Sequence, residues 1–503
     1  MQGVPPQQAQ SKRASAVSSI RQHLSRQENA EALRIIEGLP VKLRQDPEVL
    51  FLHALTLERA GRWPEAVDLA ARSVKGIDRH EPMLVLARCH RLLGNTEQAL
   101  LWCDRVEKKL PGDETVAYIR GGTLEEAGRF EEATAVLRPV VERYESKGAE
   151  LPLGLQLEWS KLLVQDKRLD DAVALIDKTL ARKEMFPAAK NIMLHLKAKA
   201  CDRKKDFASA WEAAEQANEI GRVEFDPSIY EAQVSMLIEN WSRERMTTFP
   251  ISGCESELPV FVAGMPRSGT SLIDQIIDAH PKAAGVGELA TIENFAHRLS
   301  AAYDPDLEPP ECFGPFQASK WTKAANEYVR AIQKMADPGV ERIVNKALGN
   351  NKLVGMIARL FPKTRIIHAI RDPRDVAISC FMGGFNNRLH PWTTRVEWAS
   401  TAWAQSMRMM AHWKATLDVP ILDVHYERLV ADPEREFPRI IDFLGLEWDD
   451  RCFEFHKSRR TVRTLSYDQV NRPLYKSSAG RHSNYAELIA GVEFPVYDPY
   501  AGN

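Results

Sequence analysis

The feature that most constrains this chain is a spacing. A turn, an aromatic or aliphatic residue, one or two polar residues and an alanine recur in its first half. The copies are RQENAEA (Arg26–Ala32), GRWPEA (Gly61–Ala66), GNTEQA (Gly94–Ala99), GRFEEA (Gly128–Ala133), KRLDDA (Lys167–Ala172) and KKDFASA (Lys204–Ala210). The closing alanines fall at 32, 66, 99, 133, 172 and 210, so the steps are 34, 33, 34, 39 and 38 residues. A period near 34 is the length of one helix–turn–helix unit, which cannot bury its apolar face alone and must stack on its neighbours. Gly or Asn is expected to end each first helix in the left-handed conformation. Glu or Asp is expected to open each second helix, where the dipole favours a negative charge. The alanine lets the two helices approach closely. Leu50, Leu52, Ala54, Leu55 and Leu57 supply an apolar stripe between turns. The expectation is an α-solenoid over about residues 15–235, with Trp102, Met193 and Trp211 in its core and no chemistry of its own.

This array resembles tetratricopeptide repeats, with the last two units longer than the rest. The resemblance implies a surface for a peptide or protein segment, or a scaffold that joins two copies of the chain; the sequence leaves both open, and with them the oligomeric state.

Composition narrows the classes. A chain of 503 residues has room for two or three domains. Charged residues make up 27% and the formal net charge is −2, so bulk attraction to nucleic acid or an acidic membrane is not expected. The seven cysteines, at 89, 103, 201, 254, 312, 380 and 452, form no CxxC pair and read as free thiols of a reducing compartment. The first residues, MQGVPPQQAQSKRASAVSS, lack the apolar core of a secretory signal, and no apolar run reaches the length of a membrane span. A cytoplasmic protein is expected. His280, His368, His390 and His425 lack metal-ligand spacing, and no metal is expected.

The chemistry is expected after a linker at 240–258. Val260–Ala263 reads as a buried strand, Arg267–Thr270 as a turn, and Ser271–His280 as a helix with Leu272, Ile273, Ile276 and Ile277 on its apolar face. Such a corner is an anion site, with backbone N–H groups of Ser268, Gly269 and Thr270 over the helix N-terminus. Thr270 and Ser271 add hydroxyls, and Arg267 adds a planar fork for a tetrahedral anion. The lysine of a GxxxxGK[ST] loop is missing, which argues against a magnesium-dependent kinase or ATPase. A structural turn with no ligand is the alternative for PRSGT alone. A second corner follows in RIIHAIRDPRDVAISCF (Arg365–Phe381): strand, turn, helix, with Arg371 and Ser379 placed to converge on one phosphate. Its bland alternative is an Arg371 paired with Asp372 or Asp375.

Together the two segments resemble the sulfotransferase family, over about residues 258–490, and are closest in type to the tyrosylprotein sulfotransferases and to bacterial proteins that join tetratricopeptide repeats to a sulfotransferase domain. The resemblance implies an α/β P-loop-type domain with a mostly parallel sheet. It also implies 3′-phosphoadenosine 5′-phosphosulfate (PAPS) as donor, released as 3′-phosphoadenosine 5′-phosphate. PRSGT matches the family's 5′-phosphosulfate loop, and Arg371 and Ser379 match its 3′-phosphate site. Glu288, in AAGVGELATI, matches a catalytic glutamate; the tyrosylprotein enzymes carry Glu-Glu where this chain has Gly287-Glu288, and an Arg where it has Ala290. Lys346, in RIVNKALGNN, matches the cation beside the transferring group, a task shared with Arg267. Tyr426 matches a tyrosine near the adenine nucleotide, Ser466 a serine near the transferring group, and Arg481 a basic phosphate-contacting position. The implied reaction is sulfonate transfer to a hydroxyl, with a peptide or protein tyrosine favoured by the attached repeats. A carbohydrate or small-molecule acceptor, or an interaction protein with an inactive domain, is the alternative. The tract Trp398–Trp413 reads as a core helix, and His368 as buried structure rather than a base.

Overall fold

The computed structural model describes residues 6–183, 185–303, 317–457, 474 and 478–501. They divide into two compact units, Met1–Arg182 and Lys183–Asn503.

The first unit is helical. Its helices come in pairs joined by short turns, such as Pro47–Arg59 with Trp63–Val74 and Glu81–Leu93 with Thr96–Glu107. Each recurring alanine is fully buried: Ala32, Ala66, Ala99, Ala133 and Ala172 in this unit, and Ala210 in the second, are 0% exposed. The turns obey one geometry. Gln27, Gly61, Gly94, Gly128, Lys167 and Lys205, each five residues before its alanine, all have positive φ. Half of these positions are Gln or Lys rather than the Gly or Asn expected. Packing of the helix pair therefore fixes a left-handed residue even where the side chain disfavours it. Acidic residues open the second helices, as Glu65, Glu97, Glu131 and Asp170. Ion pairs tie successive pairs of helices together, with Arg91 bonded to the partly exposed Glu126 at 2.8 Å and to the buried Glu158 at 2.7 Å. Ala133→Leu would drive about three extra heavy atoms into a filled seam and is expected to cost about 1–3 kcal/mol, read as a lower thermal midpoint.

The second unit is built on a five-stranded sheet of order β2-β3-β1-β4-β5, all parallel. The strands are β1 (Pro259–Gly264), β2 (Ala283–Gly287), β3 (Arg342–Asn345), β4 (Arg365–Ile370) and β5 (Ile421–His425). Every residue of β1 is buried, as expected of a central strand covered on both faces. Phe261 and Ala263 join one core with Ile343 and Ile366; Val260 and Val262 join another with Val344 and Ile367. Alternation along the strand divides the two faces. The chain leaves β1 toward β3 and β2, then returns to the other side for β4 and β5. The point between β1 and β4, where direction reverses, is where an open parallel sheet leaves a crevice at its carboxyl edge.

Two stretches differ from the sequence expectation. The helices Pro187–Lys204 and Phe207–Ile220, read as the last repeat, pack within the second unit. Ala213, Ala214 and Trp211 lie against Phe381 and Tyr485, because an alanine-rich face fits closely against large rings. The segment 240–258, read as a linker, is packed too: Trp241, Met246, Cys254 and Leu258 are buried in the core of the sheet domain. The tract Trp398–Trp413 lies in a core helix, Val396–Thr416, with Trp403, Met409, Met410 and Trp413 buried. Met193 is buried, whereas Trp102 and Trp211 are half-buried. Six cysteines, all but Cys312, lie among the described residues and are buried free thiols. No helix among the described residues is long and apolar enough to cross a membrane.

Candidate active site

The carboxyl ends of β1 and β4 carry the two strand-to-helix corners, and they interlock. After β1 the chain turns through Met265–Gly269 into the helix Thr270–Asp278. Arg267 has φ +70, an uncommon value for a residue with a side chain. That backbone aims its guanidinium across the crevice, where Nε donates to Ser379 Oγ at 2.8 Å. In return Arg371 Nη1 donates to the Arg267 carbonyl at 3.0 Å. Residues 112 and 104 positions apart are thus joined into one cationic cradle.

Arg371 is the hub. It is 4% exposed, and its Nη2 donates to Asp375 Oδ2 at 3.3 Å and to the Ser478 carbonyl. Its guanidinium lies 4.5 Å from the centre of the Tyr426 ring, and its carbonyl accepts from Trp403 Nε1 at 2.9 Å. Among the described residues, the buried Arg371 Nε has no hydrogen-bond partner. The bland alternative for this arginine therefore holds in part: it does pair with Asp375, but at the long end of bonding distance, with another donor unspent.

Gly269 is where a glycine is required. Its φ is +97, and an added Cβ would lie 2.8 Å from Tyr426 Cδ2. Gly269→Ala is expected to cost about 1–3 kcal/mol in backbone strain and to push Tyr426 off its place, read as a lower melting temperature. Thr270 and Ser271 open the helix and are buried; the first-turn N–H groups of a helix have no carbonyl within it to bond. Ser268, expected to offer its N–H to an anion, instead spends both N–H and Oγ on the Met265 carbonyl, at 3.2 and 2.6 Å. The reason is the tightness of the turn, which needs that carbonyl satisfied before any ligand arrives.

On the other side of the loop, β3 ends at Asn345 and delivers Lys346. Its side chain is 1% exposed and donates to Glu288 Oε1 at 2.5 Å. Glu288 follows β2, where the register with β3 shifts between Gly285 and Gly287 and so turns the glutamate toward the lysine. Its side chain is 37% exposed, so the pair has one buried and one accessible end. Asn345 and Asn350 set this edge: Asn345 Nδ2 donates to the Leu289 carbonyl at 2.9 Å, and Asn350 Nδ2 to the Val262 carbonyl at 3.0 Å.

Arg481 is placed elsewhere than expected. Its guanidinium is 2.8 Å from Asp202 on the helix Pro187–Lys204, and that carboxylate, winning over burial, holds its pKa above the ordinary value. Ser466 lies outside the described residues. Asp375, which the sequence reading used only as an alternative partner for Arg371, sits at the centre of this network. Fully buried, it accepts from Gly480 N and His482 N, both at 2.8 Å, and from Arg371. Its place four residues after Arg371 on a helix start was the available signal. Cys380, beside the loop, is inert, since burial pushes its thiol up to about 12. His368 is 1% exposed, bonded to Asp423 at 2.8 Å, and burial lowers its pKa.

An open cavity of about 710 Å³ is lined by Phe225, Tyr230, Leu389, Pro391, Trp392 and Lys352. Lys352 Nζ lies 5.3 Å from the Tyr230 ring centre. His390, between two of the lining residues, is lowered in pKa by burial and then by Lys352, and it also feels the charges of Glu293 and Glu288.

Residues 259–450 match the model of the Sulfotransferase family. An uncharacterised protein of Aquifex aeolicus is 28% identical over 67% of this chain and 45% of its own length. A putative protein-tyrosine sulfotransferase of Caenorhabditis briggsae is 28% identical over 39% of this chain and 69% of its own length. Protein-tyrosine sulfotransferase A of Caenorhabditis elegans is 25% identical over 42% of this chain and 56% of its own length. The chain thus spans about half the length of the curated relatives it matches. Among solved structures, the sulfotransferase domain of the Synechococcus PCC 7002 olefin synthase is 20% identical, with a TM-score of 0.35 over 50% of this chain and 93% of that one.

Proposed function

We propose, from the premise that residues 259–450 form a sulfotransferase domain, that this protein moves a sulfonate from PAPS to an acceptor hydroxyl, with a peptide or protein tyrosine as the favoured acceptor. The observation that carries the reading is the interlock of Arg267, Ser379 and Arg371 at the sheet's reversal point. Two separate corners there make one anion cradle.

In this reading Arg267, Gly269, Thr270 and Ser271 hold the 5′ end of the donor, and Arg371 and Ser379 the 3′-phosphate, while Ser268 holds the turn closed through the Met265 carbonyl. Tyr426 packs beneath them. One feature fits a nucleotide with phosphates at both ends: the buried Arg371 Nε, which has no hydrogen-bond partner among the described residues. When bound, PAPS supplies the activated sulfur–oxygen bond.

The chain's own residues then have distinct tasks. Glu288 takes the acceptor's proton. One of its oxygens is held by Lys346, which fixes the carboxylate and leaves the other for the incoming hydroxyl. A phenol with an ordinary pKa of about 10 needs that help near neutrality. Lys346 is buried, and a buried ammonium acts on nearby developing negative charge with little screening by water. Arg267 adds a second cation, and Ser466 is proposed to share in stabilising the charge.

Tyrosine is favoured on two grounds. Several relatives bear the name protein-tyrosine sulfotransferase, and an open cavity of the same unit is walled by the rings of Phe225, Tyr230 and Trp392, with Lys352, Glu224 and Asp226 beside them. The helical repeats, read as tetratricopeptide-like, would present a protein segment. Calorimetry with 3′-phosphoadenosine 5′-phosphate tests the donor: saturable one-site binding is expected, and absence of binding sinks the reading. Transfer of labelled sulfate from PAPS in a cell extract tests the acceptor. Label in protein tyrosine supports the assignment, whereas label confined to sugar or small molecules replaces it with the alternative acceptor class.

A further inference from the structure

We infer that Asp202, on the helix Pro187–Lys204, is a positioning residue for the donor site. The inference rests on the reading of Arg371 as a donor-phosphate ligand. It comes from an unbroken series of contacts. Asp202 Oδ1 accepts from Tyr485 O–H at 2.6 Å and lies 2.8 Å from Arg481 Nη2. Both partners belong to the segment 478–485, which has turns and the short 3-10 helix Arg481–Tyr485 but neither a strand nor a long helix to fix it. The inner end of the same segment meets the cradle. The Ser478 carbonyl accepts from Arg371, while Gly480 N and His482 N donate to Asp375. Arg371 in turn bonds the Arg267 carbonyl, and Arg267 bonds Ser379.

A segment of this kind is located by its side-chain anchors. Asp375 holds one end and Asp202 the other. Packing adds to the hold: the Tyr485 ring is 5.2 Å from Phe207 and 6.0 Å from Trp211, and Trp211 is 4.6 Å from Phe381. Asn218 Nδ2 donates to the Phe381 carbonyl at 2.8 Å, two residues beyond Ser379. The hairpin Pro187–Ile220 therefore braces both the helix that carries Ser379 and the segment that caps Arg371.

The charge of Asp202 makes the inference decidable. A carboxylate close to an anion site repels the anion, so by charge alone its removal would tighten binding. By position, its removal frees Arg481 and Tyr485, loosens the Ser478 carbonyl, and weakens binding. Full-length wild type, Asp202→Ala, Asp202→Asn and Tyr485→Phe are titrated by calorimetry with 3′-phosphoadenosine 5′-phosphate and with adenosine 5′-phosphate, and each protein is melted in parallel. Asp202→Ala is expected to weaken the bisphosphate about tenfold, with a smaller loss in Asp202→Asn, whose amide oxygen still accepts from Tyr485. Adenosine 5′-phosphate is expected to change little, so the preference for the 3′-phosphate shrinks; Tyr485→Phe moves the same way to a lesser degree. Unchanged or tighter bisphosphate binding in Asp202→Ala overturns the inference. So does an equal loss for both nucleotides, which marks a generally loosened fold. If Asp202→Ala does not fold, the same criteria apply to Asp202→Asn and Tyr485→Phe. A wild-type protein that binds neither nucleotide overturns the donor reading itself, a separate result.

Discussion

Glu288→Gln is expected to lower turnover by about 10²–10⁴-fold while nucleotide affinity stays within about twofold, since a positioned general base contributes on that order. Glutamine is the informative replacement. Lys346 is 1% exposed on its side chain, and its ammonium bonds Glu288 Oε1. Alanine would strand that buried charge, and breaking a buried pair costs roughly 3–5 kcal/mol, so lost activity could then reflect lost structure. The amide keeps an oxygen to accept from Lys346 while removing the charge and the ability to take a proton, and a parallel melt separates lost structure from lost chemistry. Labelled-sulfate transfer gives the rate and calorimetry the affinity. Turnover at the wild-type rate would falsify the role given to Glu288, leaving the donor site untouched.

Arg371→Ala is expected to weaken binding of 3′-phosphoadenosine 5′-phosphate by about a hundredfold, the scale of removing a charge-assisted contact and the groups it organises. One guanidinium contacts the Arg267 carbonyl, Asp375, the Ser478 carbonyl and the Tyr426 ring. Lysine cannot replace it. An ammonium is a point charge on a flexible stem, with no planar fork to serve several directions at once. Arg371→Lys should therefore keep the net charge and still lose most of the affinity. Calorimetry near wild-type values for Arg371→Lys would mean that the site reads charge alone, and the interlocked cradle would then have no part in binding.

The two residues differ in how far the sequence revealed them. Arg371 was visible because strand, turn and helix follow in order around RDPRD, and a helix start beside an arginine is a local pattern. Its partners were not. Ser478 and Gly480 lie more than 100 positions away, and only the meeting of β4's helix with the 478–485 segment brings them to Arg371 and Asp375. Glu288 and Lys346 were visible singly through resemblance, 58 positions apart. That they bond each other depends on β2 and β3 being neighbours and on the shift at Gly285–Gly287. Arg481 shows the opposite case: read as a phosphate contact, it is engaged by Asp202, a residue whose helix the sequence assigned to the repeats.

By itself the sequence determined what local physics can encode. The alanine period set the helix pairs, because a small residue is needed wherever two helices cross closely. The apolar run of β1 set a central strand, and glycine marked the one loop position where a side chain meets Tyr426. Only the tertiary structure decided which distant groups share a site. It joined Arg267 to Ser379, seated Lys346 against Glu288, and drew the helices Pro187–Lys204 and Phe207–Ile220 into the sheet-bearing unit. Each of these depends on strand order and on the packing of large rings against small residues. A one-dimensional pattern does not carry that information, because hydrogen bonds and ion pairs act over a few ångströms, whatever the number of residues between the partners.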